Sequence, residues 1–474
     1  MTEEGAIKPA AIGLRAEESG LCLWSKRICI MKTPLELYIH IPFCVRKCYY
    51  CDFFSGPFGP EERSLYFSGL REEIRNAGET VTKRMREAFG AGLSEKFFGS
   101  IPNAAGEMCP AFDPGHYEVR SVFFGGGTPS LLEASYISAL ISDIRETFSL
   151  SSDCEITLEA NPGTLTAEKL KIYKEAGVNR LSIGLQSPDD GLLKALGRIH
   201  TFSDFLSSYE NARAAGFDNI NIDLMSGLPG ETPKNHENAL KKVLDLGPEH
   251  LSCYSLIIAE NTPFYDLYRE NGACPVSGEK NGKASGLLSA KKLPLPTEEE
   301  DRIMYHDTKK ILLSSGYERY EVSNYALPGK ACRHNIGYWT GVPYIGFGAA
   351  AASCLPIASG CDFGCGKEEA FLSDMTALRF KTAESLLYRT LPLIETELLS
   401  KADSMAEFMI LGLRMSRGIS FDEFYRRFGQ RAEERYGELI HKYVKLGALK
   451  ASGGRLFFTD YGMDVSNVVL EGFL

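Results

Sequence analysis

Three cysteines, Cys44, Cys48 and Cys51, fall within the segment YIHIPFCVRKCYYCDF (38–53). Thiolates at this C-x3-C-x2-C spacing can hold three irons of a [4Fe–4S] cubane and leave the fourth iron without a protein ligand. An iron with open positions invites a chelating molecule, so the triplet points to chemistry. Zinc is a competing reading of the triplet alone, although a structural zinc site takes four ligands, often from paired C-x2-C knuckles. Plain free thiols are another. The neighbours Phe43, Tyr50 and Phe53 suit a shielded cluster better than a zinc knuckle. The chain has thirteen cysteines, an odd number at irregular spacing. Neither a disulfide framework nor a secretory signal is legible, and a reducing, cytoplasmic setting is expected.

Further along, Gly125-Gly126-Gly127-Thr128-Pro129 follows a strand-like run. Without a Cβ, such a stretch lets backbone approach a polar ligand closely, although a tight strand-to-helix turn explains it equally well. Glu159, Gln186 and Asp223 fall at or near the C-terminal ends of three more apolar runs. In a βα barrel that edge is where active-site side chains converge. A carboxylate there can hold ribose hydroxyls or an ammonium, and an amide can do either. Arg198, in LGRIH, can grip a carboxylate through two parallel hydrogen bonds. For each of these residues a helix cap or a satisfied barrel polar group is the competing reading.

These residues need a frame. Short apolar runs alternate with helical patterns, giving expected strands at 35–41, 121–125, 155–160, 180–186, 219–225 and 250–257. Helices are expected near 61–77, 131–148, 166–176, 203–215 and 234–246. The alternation implies βαβ units and a parallel sheet. Continuously apolar strands favour an α/β fold with a partial (β/α)6 TIM-like barrel, with a doubly wound open sheet as the alternative. The barrel is placed at 34–270, with an insertion at 78–118 that shows no clear period. Residues 271–297 are rich in Gly, Ser and Lys and read as a flexible insertion. Residues 298–400 read as a barrel-completing region, interrupted at 355–370. Residues 401–474 read as a smaller, mostly helical, winged-helix-like domain ending in the hairpin-like GGRLFFTDYG. The core pattern starts just after Met31, so 1–33 reads as a loose extension or a misassigned start. Hydrophobic residues make up 44% of the 474 and the net charge is −10. No run is long enough to span a bilayer. The charge opposes nucleic-acid binding, which depends on phosphate neutralisation, and the C-terminal region reads as a packing module.

The cysteine segment resembles the signature of the radical S-adenosylmethionine superfamily. More narrowly, HIPFC…CYYCDF is similar to the HemW branch of the oxygen-independent coproporphyrinogen III oxidase family. The resemblance runs from residue 34 along most of the chain: FFGGGTPS (123–130), EANPG (159–163), GVNRLSIGLQS (177–187), LGRIH (196–200), NIDLMSGLPGET (221–232), YEVSNYALPG (320–329) and EFMILGLRMSRGIS (407–420). It implies a [4Fe–4S] cluster on Cys44, Cys48 and Cys51 whose open iron chelates the amine and carboxylate of S-adenosylmethionine. Reductive cleavage then gives methionine and a 5′-deoxyadenosyl radical. It further implies S-adenosylmethionine contacts from Tyr38, Tyr50, Gly126, Gly127, Thr128, Glu159, Gln186, Arg198 and Asp223.

Two functions compete within that family. The oxidase pattern, CxxxCxxCxC, has another cysteine two residues beyond the triplet, where this chain has Asp52 and then Phe53. The oxidase's longer N-terminal segment is also not matched before Tyr38. Both departures favour a haem chaperone, which binds haem and passes it to an acceptor protein, over oxidative decarboxylation of coproporphyrinogen III. Whether the chain is an enzyme stays open at this point, and the acceptor is not named by the sequence. CRHNIGYW (332–339) contains HNxxYW, which by the resemblance binds haem through His334, Tyr338 and Trp339; an imidazole can ligate iron and two aromatics can cover a porphyrin face. One departure stands nearby. The family's GxGAHS reads Gly348-Ala349-Ala350-Ala351-Ala352-Ser353, with Ala352 in the histidine's place. That implies a lower haem affinity unless Cys332, Cys361 or Cys365 substitutes.

Overall fold

Leu35, Leu37, Ile39 and Ile41 alternate with Glu36, Tyr38 and His40 along the first strand, β1 (Thr33–Ile41). Successive side chains on a strand face opposite sides. The aliphatic set is fully buried in one core with Leu70 and Ile74 of helix α1 (Pro60–Arg75) and Ile137 and Ile141 of helix α3 (Ala134–Thr147). The polar set lies on the other face, where Tyr38 stacks on Phe123 and its hydroxyl lies 3.1 Å from His40 Nδ1. The strands are therefore apolar toward the helices and polar toward the lumen.

The computed structural model describes residues 32–96, 112–269, 292–357, 374–386 and 391–474. Strands β1, β2 (Tyr117–Gly126), β3 (Ser149–Ala160), β4 (Arg180–Gln186), β5 (Ile220–Ser226) and β6 (His250–Ser255) pair in that order, all parallel. Helices α2 (Ala77–Lys96), α4 (Ala167–Ala176), α5 (Asp190–Ala195), α6 (Phe202–Ala214) and α7 (Pro233–Leu244) lie between them in sequence, with α1 and α3. Helix α8 (Pro263–Tyr268) follows β6. Beyond it come α9 (Glu298–Ser314) and the short strands β7 (Glu318–Arg319) and β8 (Asn324–Ala326), and β8 pairs antiparallel with β6. On the other flank, β9 (Tyr344–Phe347) is parallel to β1 and is followed by antiparallel β10 (Ala352–Pro356), β11 (Met375–Thr382) and β12 (Leu393–Ser400). The sheet ends in β12 on one side and β7 on the other, so the barrel is partial and not closed. Threonine or serine caps start α4, α6, α7, α9 and α11 (Lys401–Arg414), each cap contributing about 1 kcal/mol.

The C-terminal part combines α11, α12 (Phe421–Phe428) and α13 (Ala432–Lys445) with a small antiparallel sheet in the order β13 (Ile419–Ser420), β15 (Arg455–Phe458), β14 (Leu449–Ser452). Met409, Leu413, Phe424, Ile440 and Leu456 form a core of its own, giving the winged-helix-like arrangement. Residues 33–474 nevertheless form a single unit. No helix among the described residues is long and apolar enough to cross a membrane.

One expectation needs revision. The start of the aperiodic 78–118 stretch is the twenty-residue helix α2, which buries Val81, Met85, Ala88 and Phe89. That i, i+4, i+7, i+8 spacing is helical, but glycines and polar residues around it dilute the signal. Thr33 opens β1, so the 1–33 extension overlaps the barrel by one residue; positions 1–31 lie outside the described residues, as do 270–291 and 358–373, with Cys361 and Cys365.

Candidate functional site

The cysteine loop leaves β1 and is held at both ends. The Cys44 N–H donates to Gly56 O (2.9 Å), and the Gly56 N–H donates to Pro42 O (2.9 Å). Phe43 is fully buried and meets Tyr66 edge-on at 5.3 Å. At the far end the Tyr49 N–H donates to Leu196 O (3.1 Å), and the Phe264 N–H donates to Tyr49 O (3.0 Å). A small apolar cluster of Leu192, Leu196, Met225, Leu228 and Phe264 packs there against Tyr49 and Tyr50. A Cβ on Gly197 would come within 2.9 Å of the Tyr49 ring, so this close approach requires glycine. Arg46 adds a hydrogen bond to Gly197 O (2.6 Å). Of the three expected shielding aromatics, Phe43 belongs to the core and Tyr50 backs the loop. Phe53 does not shield it: the side chain is 63% exposed, because the loop turns outward after Cys51.

The glycine run secures the same loop. The Gly127 N–H donates to Ile41 O (2.8 Å) and the Thr128 N–H to Phe43 O (2.7 Å). The Gly126 N–H donates to Glu159 Oε2 (3.1 Å). All three amides are thus engaged within the protein. A Cβ on Gly127 would fall 2.8 Å from both Phe43 N and Phe43 O, and Gly126 has φ +108°. The run is small so that β2 can abut the root of the cysteine loop.

Cys44, Cys48 and Cys51 are free and partly exposed. Thr128 Oγ1 lies 3.6 Å from Cys44 Sγ, and Arg198 Nη1 lies 3.5 Å from Cys48 Sγ. Among the described residues no three His, Cys, Asp or Glu side chains converge as the ligands of one ion. Three thiols on one loop suit a cubane, which spreads its thiolates over three irons, whereas a structural zinc site takes four ligands on one ion. Arg198 also donates through Nη2 to Asn161 Oδ1 (2.8 Å) and Gly184 O (2.7 Å), while its buried Nε has no hydrogen-bond partner among the described residues. Asn161 Nδ2 in turn donates to Thr128 Oγ1 (2.8 Å). Gln186 holds φ +69° at the end of β4, an uncommon backbone state for a residue other than glycine. Its amide, Asn161 and Arg198 all crowd the space a Cβ on Gly184 would take. Asn161 was not singled out from the sequence, although the EANPG motif that contains it was.

Deeper in the lumen lie Tyr38, Glu159 and Asp223. Burial, reinforced by Asp223, raises the Glu159 carboxyl to about 8, and the Gly126 N–H only partly offsets this. Burial also raises Asp223, against hydrogen bonds from Asn221 Nδ2 (2.8 Å) and Ser182 Oγ (3.2 Å). Burial raises the Tyr38 and Tyr50 phenols as well. Two buried carboxyls beside a guanidinium can take hydroxyls as neutral acids, or a cation once ionised.

At the opposite, amino-terminal end, helix α10 (Arg333–Trp339) crosses the barrel floor. His334 stacks on Phe123 with ring centroids 5.0 Å apart, and its Nδ1 lies 2.8 Å from Ser121 Oγ. Burial, then Arg180, lowers its pKa to about 3. Gly337 abuts Glu36, with no room for a Cβ. Tyr338 and Trp339 lie beyond that contact, in a groove of about 1230 Å³ between β9, β10 and the C-terminal part. The structure therefore brings Tyr338 and Trp339 together but not His334, which is not among the groove's lining residues. Ala352 and Cys354 also line it. Cys332 cannot substitute for the missing histidine, because it is fully buried and donates to Glu155; among the described residues Cys354 is the cysteine that lines the groove.

The profile of the radical SAM superfamily matches residues 107–243, beginning after the cysteine triplet, and that of the HemN C-terminal domain matches 399–465. The chain is 32% identical over 438 residues to heme chaperone HemW of Bacillus subtilis (strain 168), covering 92% of this chain and 98% of the relative. To heme chaperone HemW of Escherichia coli (strain K12) it is 34% identical, covering 67% of this chain and 69% of the relative. The solved structure of coproporphyrinogen III oxidase (HemN) from Escherichia coli, a radical SAM enzyme, superposes with a TM-score of 0.66 at 20% identity, over 93% of this chain and 90% of that one; this is a likeness of fold. Identity at this level across nearly the whole length of a curated relative settles the branch, and the chain belongs to the HemW family of radical SAM proteins.

Proposed function

We propose that this chain is a haem chaperone. It carries a [4Fe–4S] cluster on Cys44, Cys48 and Cys51, takes S-adenosylmethionine at the barrel mouth, holds haem at the Tyr338–Trp339 groove and delivers it to an acceptor protein. The observation that carries this reading is the match across 98% of the length of a heme chaperone HemW. Phe53 supports it, because it occupies the position where the oxidase pattern has a further cysteine.

When bound, the cluster and S-adenosylmethionine supply one-electron chemistry at a sulfonium. The chain's own residues prepare the site. Arg198 stands beside Cys48, with Nη1 3.5 Å from its Sγ. Thr128, Asn161 and Gln186 fix the mouth's polar rim. Glu159, neutral near pH 7 before ligand arrives, ionises as a cation approaches, so binding releases a proton there. Asp223 and Tyr38 complete the wall, with Tyr50 and the backbone of Gly126 and Gly127 behind the loop. His334 acts from the floor, by holding α10 in place. This role needs a reducing cytoplasm, where thiols stay free for iron, and calls for neither nucleic acid nor membrane.

Anaerobic reconstitution followed by haem titration tests the reading. A haem Soret band saturating near one equivalent at micromolar haem is expected. No binding, or conversion of coproporphyrinogen III to protoporphyrinogen with S-adenosylmethionine and reductant, would move the chain out of the chaperone reading.

A further inference from the structure

The groove beside Tyr338 and Trp339 has an uneven charge. Arg417, Arg426, Arg427 and Arg455 all line it. Glu423 pairs with Arg426 and Arg427, whereas Arg417 and Arg455 form no ion pair among the described residues. Arg455 donates to the carbonyls of Arg417 (2.8 Å) and Gly418 (2.7 Å). The other acidic side chain lining the groove, Glu407, is engaged by Arg379 at 2.5 Å, and Leu474, which carries an α-carboxylate, lines it as well. A cationic wall has thus been gathered on a chain of net charge −10. Like charges held together without enough counter-charge raise each other's energy, and an incoming anion removes that cost. Burial, then Arg417, holds the Arg455 guanidinium below its usual range. Across the groove, Trp339 Nε1 is a buried donor without a hydrogen-bond partner among the described residues; the Arg414 guanidinium lies 4.6 Å over the Trp339 ring and that of Arg427 5.2 Å over the ring of Phe408.

Aromatic walls interleaved with guanidinium groups suit a planar ligand that ends in carboxylates, because aromatic rings cover an apolar face and guanidinium groups match carboxylates in paired hydrogen bonds. The groove, at about 1230 Å³, is roomier than the ~300–1,000 Å³ of common small-molecule sites.

We infer that this groove takes haem with its propionate carboxylates on Arg417, Arg426 and Arg455, so that the C-terminal part supplies the anchoring charge and α10 the aromatic wall. The inference rests on the reading that the chain binds haem. It makes the propionates, more than the iron, the handle by which the protein orients its cargo.

The test uses the full-length, cluster-loaded protein titrated with iron protoporphyrin IX and, in parallel, with its dimethyl ester. Arg417→Gln and Arg426→Gln, singly and together, are exposed substitutions that leave the core untouched. Wild type should bind the free acid at least tenfold more tightly than the ester. The double variant should lose about tenfold for the free acid and little for the ester, with unchanged cluster absorbance and melting temperature. Equal affinity for acid and ester, or indifference to the double substitution while haem still binds, overturns the propionate assignment alone. Absence of haem binding to wild type overturns the haem reading, and this inference with it.

Discussion

Glu36 and His334 meet on the barrel floor, 3.8 Å apart, and both stay neutral near pH 7. Burial raises Glu36 to about 9, with Glu155 adding to the shift and Ser121 opposing it. An acid whose folded-state pKa is raised contributes stability fully below its unfolded value near 4.5 and loses it as pH climbs toward 9. Glu36→Gln should therefore match wild type near pH 3.5 and be the more stable by pH 9 in thermal unfolding of the metal-free chain. A conversion on the order of 2 °C per kcal/mol applies at this size or somewhat less. Equal melting temperatures at pH 9 would place the carboxyl in contact with water. The two parts of HNxxYW should separate in the same way. Trp339→Ala should weaken haem binding about tenfold, or ~1.4 kcal/mol. His334→Ala should change haem affinity less than threefold while costing about 1–3 kcal/mol of stability, because it leaves Ser121 without its buried partner. The Soret titration and the melting curve read the two effects independently, and a lost or shifted Soret band in His334→Ala would make that residue an iron ligand.

Among the elements, β2 and the cysteine loop depend on each other most closely. Gly127→Ala would set a Cβ against the backbone of Ile41 and Phe43. Iron and sulfide content after reconstitution should fall by about half or more, with far-UV circular dichroism retained, since such overpacking costs about 1–3 kcal/mol locally. Full cluster occupancy in this variant would show that the loop does not need the strap. Much of this layer is legible in the sequence. Strand β4 has the expected bounds; β1, β2 and β3 begin two to six residues before the expected run, where mostly polar residues extend the pairing, β5 is shifted by one residue, and β6 ends at Ser255, two residues short of expectation. The short strands β7 to β10 were not legible, because two to five residues carry too little pattern and owe their conformation to neighbours in the sheet. The cluster thiols, Glu159 and Asp223 could be singled out from type and position. Asn161 could not, since an asparagine before proline and glycine reads as a turn residue. Nor could the different surroundings of His334 and Tyr338, which follow from α10 crossing beneath β1.

At the scale of the whole molecule, the fold gives the chain two working ends. Cys44 follows the carboxyl end of β1, while Tyr344 of the groove pairs opposite Glu36 near its amino end. The five steps along the strand from Glu36 to Ile41 span about 17 Å, and the polar lumen with its paired acids lies between. S-adenosylmethionine and haem would then occupy separate sites, and haem could be loaded or unloaded without dismantling the cluster. The most direct test is the electron paramagnetic resonance spectrum of the reduced cluster with S-adenosylmethionine, recorded before and after one equivalent of haem. S-adenosylmethionine should shift the cluster signal, haem should bind with a full Soret band, and the shifted signal should persist unchanged. Reversal of the shift by haem would mean that both ligands compete for the barrel mouth, and would contradict separate sites.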